Sequence, residues 1–248
     1  YRLYVPDGAG PFPLVVVLHP LRSTGVRMER YTRFSKLAQK ENFIVVYPNA
    51  VLNRWNDRAY RPHAIDDVGF IAALLDHIEA NFPVDATRVY VTGASNGGTL
   101  ANRLACDLGY RFAAVAPVIA DVPYLLQLHA GSTAPIPVLM INGTDDPLVR
   151  FNIVPRYDAK IGIVTAKQTT EFWVNKNGCI TPPVITFVPD RDPEDGTRIE
   201  KRAYAAGPAG ADLLFFAVKG GGHTWPGAPV RRSLGLYGKT SQDMDATK

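Results

Sequence analysis

A serine flanked by glycines, Gly93-Ala94-Ser95-Asn96-Gly97, is the part of the chain from which chemistry is most directly read. A G-x-S-x-G turn between a strand and a helix bends the backbone too sharply for a Cβ two residues to either side, so Gly93 and Gly97 are steric requirements. The strain pushes the serine hydroxyl out at the carboxyl edge of a sheet. The helix that follows aims its unpaired N–H groups and positive dipole end at the same place, which suits an oxyanion. Five residues alone could be a turn that happens to hold a serine. The context favours a nucleophile, because residues 88–91 read as a strand and 96–108 as a helix.

A serine hydroxyl is too weak an acid to attack an ester unaided; it needs a histidine base, and that histidine needs a carboxylate to hold its tautomer. Behind a strand–serine–helix turn the partners follow in the order serine, acid, histidine. Of the five histidines only His129 and His223 come after Ser95, and His129 precedes every convincing acid at a strand end. His223 lies in Gly220-Gly221-Gly222-His223-Thr224-Trp225-Pro226-Gly227, directly after the last strand, where glycines let a loop carry an imidazole back over the sheet. The acid is expected within Asn142-Gly143-Thr144-Asp145-Asp146-Pro147, and local reasoning does not separate Asp145 from Asp146. One oxyanion donor is the N–H of Asn96, the residue after the serine. The other belongs to the loop after His19, where Pro20 has no N–H and Leu21 is therefore the donor.

The remaining chemistry-bearing groups carry less. Asp190, Asp192, Glu194 and Asp195 suggest calcium, but a polar hairpin tip accounts for them without a metal. Trp173, beside Phe172 at helical spacing, reads as core, and His19, His63 and His77 as structural or exposed. Trp55 and Trp225 sit in loops at the expected active edge and are candidates for touching substrate; packing beneath those loops is the other reading. The two cysteines, Cys106 and Cys179, lack metal-ligand spacing, and their separation leaves open whether they pair. Gly220 to Gly222 lacks the lysine and following helix of a phosphate loop.

Alternating strands and helices must position these groups. Residues 14–18 are a continuous apolar run suited to a central strand covered on both faces, and residues 43–47 are the next strand. Between them, Met28, Tyr31, Phe34 and Leu37 recur at helical spacing up to Asn42, predicting one helix. Asp66 and Asp67 open another. Further strands are expected at 112–118, 137–141, 184–188, 198–204 and 213–218, with helices at 121–129 and 162–176. This is one α/β domain over residues 1–248, a doubly wound, mostly parallel sheet. The stretch 49–65, with Arg54, Trp55, Arg58, Tyr60, Arg61 and His63, has no clean period and is expected to wall the site. The charge of +4 is scattered without a basic stripe, which argues against nucleic-acid binding. Runs such as 14–18 fall far short of the roughly 20 residues of a membrane span. No signal peptide precedes the opening strand, which starts abruptly, as in a domain cut from a longer chain.

With these motifs in hand the chain resembles the polyhydroxybutyrate depolymerase-like and feruloyl esterase family of α/β-hydrolases. Tyr47-Pro48-Asn49, Trp55-Asn56, Asp66-Asp67-Val68-Gly69-Phe70 and Asn177-Gly178-Cys179 carry the likeness beyond the serine turn, and it covers nearly all of the chain. The resemblance implies Ser95 as nucleophile, His223 as base, Asp146 rather than Asp145 as acid, and oxyanion donors at Leu21 and Asn96. It also implies a last helix beginning at Asp245-Ala246-Thr247-Lys248, where the sequence stops. The chain departs from the family at His19-Pro20, where His-Gly is usual, and at Asn142, where a histidine is common. The expected activity is cofactor-free carboxylic ester hydrolysis through an acyl-enzyme. Only about 20 residues separate the strand ending near Pro117 from that beginning at Pro137, so no large lid is expected there and the site is open. An open site suits feruloyl or acetyl esters on plant polysaccharide; a polyester depolymerase is the nearest alternative and a non-catalytic binding protein a more distant one. Secretion is expected from the extracellular polymers that such enzymes attack.

Overall fold

The computed structural model describes residues 1–57, 65–130, 134–152, 164–229 and 236–248. In chain order the elements are β1 (Arg2–Tyr4), β2 (Phe12–Leu18), α1 (Gly25–Thr32), α2 (Phe34–Glu41), β3 (Ile44–Tyr47), α3 (Asp67–Asn81), β4 (Val84–Ala94) and α4 (Asn96–Asp107). There follow β5 (Ala114–Val118), α5 (Tyr124–His129), β6 (Val138–Gly143), α6 (Ala166–Lys176), β7 (Val184–Phe187), β8 (Arg198–Tyr204) and β9 (Leu213–Lys219).

Apolar alternation decides the layering. Leu14, Val16 and Leu18 of β2 enter one core cluster and Val15 and Val17 another, as do Ile44 and Val46 against Val45 and Tyr47 of β3. Successive strand side chains point to opposite faces, so a strand apolar at every position needs cover on both sides. Ile71, Leu75 and Ile78 of α3, Leu100 and Leu104 of α4 and Trp173 of α6 cover one face; Met28 of α1 and Phe34 and Ala38 of α2 cover the other. Among the described residues nine strands make one sheet in the order β1-β3-β2-β4-β5-β6-β9-β8-β7. The six strands from β3 to β9 run parallel, while β1 at one edge and β8 and β7 at the other pair antiparallel. Parallel strands put the loops after β2, β4, β6 and β9 on one edge, where ligands of open α/β sheets bind.

Three expectations change. The single helix up to Asn42 is two helices, because Arg33 takes a left-handed conformation (φ 60°) and sends its guanidinium to the carbonyl of Gly227, 2.6 Å away. The short helix expected from Asp121 begins at Tyr124, after buried Asp121 and Val122 have been drawn into contacts with α4 and α6. The helix expected from Gly162 is described from Ala166, capped by Thr165 and Gln168; residues 162 and 163 lie outside the described residues. Cys106, inside α4, and Cys179 are free thiols, and burial pushes the Cys106 thiol up to about 12. Among the described residues no helix is long and apolar enough to cross a membrane.

Candidate active site

Ser95 joins β4 to α4 with φ 54° and ψ −120°, a backbone conformation that a side chain rarely adopts. Such strain costs about 1–3 kcal/mol and persists only where neighbours over-determine it. Here they do. The Ser95 N–H donates to the Val118 carbonyl at 3.0 Å and its carbonyl accepts the Thr99 N–H at 2.8 Å. A Cβ on Gly97 would lie 2.5 Å from the Leu18 carbonyl oxygen, and one on Gly93 would lie 2.6 Å from the Gly97 carbonyl group. Gly98, which the motif does not include, is equally constrained: its Cβ would stand 2.7 Å from that of Ala120 and 2.8 Å from the Gly93 oxygen.

Of the two aspartates after β6, Asp146 reaches the histidine. Its Oδ2 lies 2.7 Å from His223 Nδ1, and both side chains are buried. An ionised carboxylate only accepts, so Nδ1 carries the proton and Nε2 is left with a lone pair able to accept one. Asp146 Oδ1 accepts the N–H groups of Leu148 and Val149, each at 2.8 Å, which locks the carboxylate in place. Asp145 is exposed and accepts from Thr144 Oγ1 instead, the role of a turn residue.

The glycines before His223 allow the acid and histidine loops to meet backbone to backbone. Asp145 N–H donates to the Gly221 carbonyl at 2.9 Å, and a Cβ on Gly143 would collide with Gly221 and Gly222. Residues 237 to 239 also run against this loop, with Lys239 bridging Gly221: His223 N–H donates to the Tyr237 carbonyl at 2.6 Å and Gly222 N–H to the Lys239 carbonyl at 2.9 Å. The Tyr237 ring stacks on the imidazole with centroids 6.4 Å apart, a wall that sequence reasoning missed because no periodic pattern marks this stretch.

Ser95, Asp146 and His223 thus follow β4, β6 and β9 at one edge of the sheet. Asn96 opens α4, where the N–H has no acceptor within the helix. Leu21 is half exposed in the loop after β2, and no hydrogen bond from its N–H is formed among the described residues. The two tryptophans correct an expectation. Trp55 and Trp225 are fully buried (0% exposed), so neither presents a face to substrate. Trp55 donates from Nε1 to the His19 carbonyl at 2.9 Å; Trp225 donates to Thr247 Oγ1 at 3.2 Å and packs edge-on against Phe34. A loop position says where the backbone runs, not which way a large apolar side chain turns, and burial of the rings wins. Of the stretch expected to wall the site, Arg58, Tyr60, Arg61 and His63 lie outside the described residues, while Val51, Leu52 and Arg54 are exposed.

His19 is the other residue whose role sequence reasoning left unspecified. It is fully buried, with Nδ1 2.8 Å from the Pro20 carbonyl and Nε2 3.1 Å from the Ala50 N–H, an arrangement only the neutral imidazole protonated on Nδ1 can make. Burial lowers its pKa from 6.5, partly countered by the bond to Pro20. The unfolded chain therefore takes up the proton first as pH falls, so this contribution to stability is full above about pH 6.5 and is lost as pH falls toward the lower folded value. The melting temperature should accordingly drop between about pH 7 and about pH 5 by more in the wild type than in His19→Asn. Equal drops in the two proteins would assign the effect to other groups.

With this geometry in place, residues 1–147 match the family model described as Esterase PHB depolymerase. The chain belongs to that family. The matched residues include Leu21, Ser95, Asn96 and Asp146, while His223 lies beyond them. A relative that spans both regions is "Putative esterase NocK" of Nocardia uniformis subsp. tsuyamanensis, 30% identical over 261 residues, 98% of this chain and 75% of that protein. Feruloyl esterase B of Piromyces equi is 27% identical over 221 residues, 85% of this chain but 39% of the relative, so the chain spans well under half of that protein. Among solved structures, acetyl xylan esterase from Aspergillus awamori shares the fold with a TM-score of 0.67 at 18% identity, covering 90% of this chain and 88% of that one. Membership of this esterase family makes carboxylic ester hydrolysis the activity class of the chain.

Proposed function

We propose that the chain hydrolyses carboxylic esters through an acyl-enzyme on Ser95, with feruloyl or acetyl esters of plant polysaccharide as its substrates. The observation that carries this reading is the buried Asp146–His223 pair at 2.7 Å, on the sheet edge where the strained turn presents Ser95. Ser95 Oγ attacks the ester carbonyl while His223 Nε2 takes its proton, and Asp146 stabilises the imidazolium. The N–H groups of Leu21 and Asn96 receive the oxyanion of the tetrahedral intermediate; losing one such donor typically costs about 3–4 kcal/mol. His223 then protonates the departing alcohol, and water repeats the cycle to release the acid. No step calls on a cofactor.

Only α5, six residues long, is described between β5 and β6, with Leu125 and Leu128 exposed on it. A connection this short supports an open site, and an open site suits an ester carried on a bulky alcohol. The relatives named feruloyl esterase B and, at 29% identity over 49% of this chain, probable acetylxylan esterase A of Aspergillus fumigatus point the same way, and secretion accompanies the reading because a polysaccharide is met outside the cell. The alternative, a polyester depolymerase, has its own support in a relative named poly(3-hydroxyalkanoate) depolymerase C of Paucimonas lemoignei, 32% identical over 49% of this chain. Initial rates on methyl ferulate, an acetylated xylo-oligosaccharide and a soluble 3-hydroxybutyrate oligomer separate the two. We expect one of the first two to exceed the oligomer by at least about tenfold in kcat/KM, a difference of about 1.4 kcal/mol. The reverse order would assign the site to polyesters.

A further inference from the structure

We propose that His19, Trp55 and the side chain of Asn96 form one positioning clamp that sets the direction of both oxyanion donors. The inference rests on the serine-esterase reading above, and it gives the buried Trp55 a function that its loop position did not suggest.

Consider first the donor on the loop after β2. The Pro20 carbonyl is held from two sides, by His19 Nδ1 at 2.8 Å and by the Ser23 N–H at 3.1 Å. The Pro20–Leu21 peptide is not among the cis bonds, and in a trans peptide the carbonyl and the N–H point in opposite directions. Turning the Pro20 oxygen toward the imidazole therefore turns the Leu21 N–H away from it. The ring itself cannot rotate freely. Ala50 N–H donates to its Nε2, and the Trp55 indole packs against it with centroids 4.9 Å apart. A proline at position 20 removes one candidate donor, and the fixed carbonyl selects the next N–H along the chain.

The second donor is tied to the same assembly. Asn96, whose own N–H opens α4, holds the Trp55 backbone with both ends of its side chain: Oδ1 accepts the Trp55 N–H at 2.9 Å and Nδ2 donates to the Trp55 carbonyl at 3.1 Å. Trp55 in turn donates from its indole to the His19 carbonyl at 2.9 Å. Gly97 closes the circuit, since a Cβ there would lie 2.5 Å from the Leu18 oxygen and 2.6 Å from the His19 oxygen, so the nucleophile turn rests directly on the residues that lead into the donor loop. Each donor is thereby referenced to the other through hydrogen-bonded groups, of which His19 and Trp55 are fully buried and Asn96 half-buried. An oxyanion hole works only when its donors are set before charge develops, so this rigidity bears on kcat rather than on substrate binding.

The test compares wild type, His19→Asn, His19→Phe, Trp55→Phe and Ser95→Ala on p-nitrophenyl acetate, with melting temperatures alongside. Asparagine can still donate to the Pro20 carbonyl, whereas phenylalanine fills the space without a hydrogen bond. We expect His19→Phe to lose roughly 100-fold in kcat with KM within about twofold of wild type, and Trp55→Phe to lose about tenfold. His19→Asn should recover to within about threefold. Inhibition by a trifluoromethyl ketone, whose adduct carries the oxyanion, should weaken in step with kcat/KM in the same variants. If His19→Phe does not fold, Trp55→Phe, which keeps a ring in the same space, carries the comparison. Folded clamp variants with wild-type kcat, beside an inactive Ser95→Ala, would overturn the clamp and leave the esterase reading intact. Wild-type activity that survives in Ser95→Ala would overturn that reading and the clamp together.

Discussion

Ser95→Ala should lower kcat for p-nitrophenyl ester hydrolysis by about 10⁴- to 10⁶-fold, without a comparable change in folding. Alanine removes one oxygen from a residue whose backbone, not its side chain, makes the hydrogen bonds that hold the turn: the N–H to Val118 and the carbonyl to Thr99. The strained φ of 54° remains to be tolerated, but alanine carries the same Cβ as serine and gains no new clash. A melting temperature within a few degrees of wild type, measured by circular dichroism, would confirm that the loss is chemical. Residual turnover would be that of oriented water over an intact oxyanion site. Substantial activity in the variant would mean that another group opens the ester.

The second large effect belongs to the acid. Asp146→Asn should reduce kcat by roughly 10⁴-fold, or about 5 kcal/mol of transition-state stabilisation, while Asp145→Asn stays within about twofold of wild type. The reason is directional. The Leu148 and Val149 N–H groups donate to one carboxylate oxygen, so an asparagine at position 146 keeps its carbonyl oxygen there and turns its amide toward His223. An amide N–H facing Nδ1 makes that nitrogen an acceptor and moves the ring proton to Nε2, where the base is needed. The histidine stays in position but in the wrong tautomer. Asp145, paired with Thr144 at the surface, has no such lever. Steady-state kinetics of the two variants side by side decide between the aspartates, and equal losses would show that the acid loop acts only as a structural unit.

Much of this site could be read before any fold was known because its requirements are local. The glycines beside Ser95 answer a backbone clash that the motif itself predicts, and the structure places carbonyl groups where the missing Cβ atoms would be. The histidine follows from chain order and from glycines that let its loop approach the acid loop. The alternating strands and helices follow from apolar runs long enough to need cover on both faces. What stayed hidden depends on groups far apart in sequence. Asp145 and Asp146 have the same local chemistry, and only the approach of a histidine loop 77 residues later separates them. Trp55 and Trp225 sit in loops, yet each turns inward because a buried carbonyl or hydroxyl waits for its indole N–H. Arg33 breaks a helix that neither glycine nor proline announces, and its partner is a carbonyl 194 residues away. The antiparallel edge formed by β8 and β7 is likewise a matter of neighbours, since the alternation within each strand is compatible with either direction.

The most direct test of the account is where a covalent probe lands. Wild-type protein treated with a fluorophosphonate should gain the mass of one phosphonyl group, in step with loss of esterase activity, and peptide mapping should place it on Ser95. Ser95→Ala should gain none, and Asp146→Asn should label far more slowly than wild type. A stoichiometric adduct on any other residue, or full inactivation with Ser95 unmodified, would contradict the assignment of the nucleophile on which the rest depends.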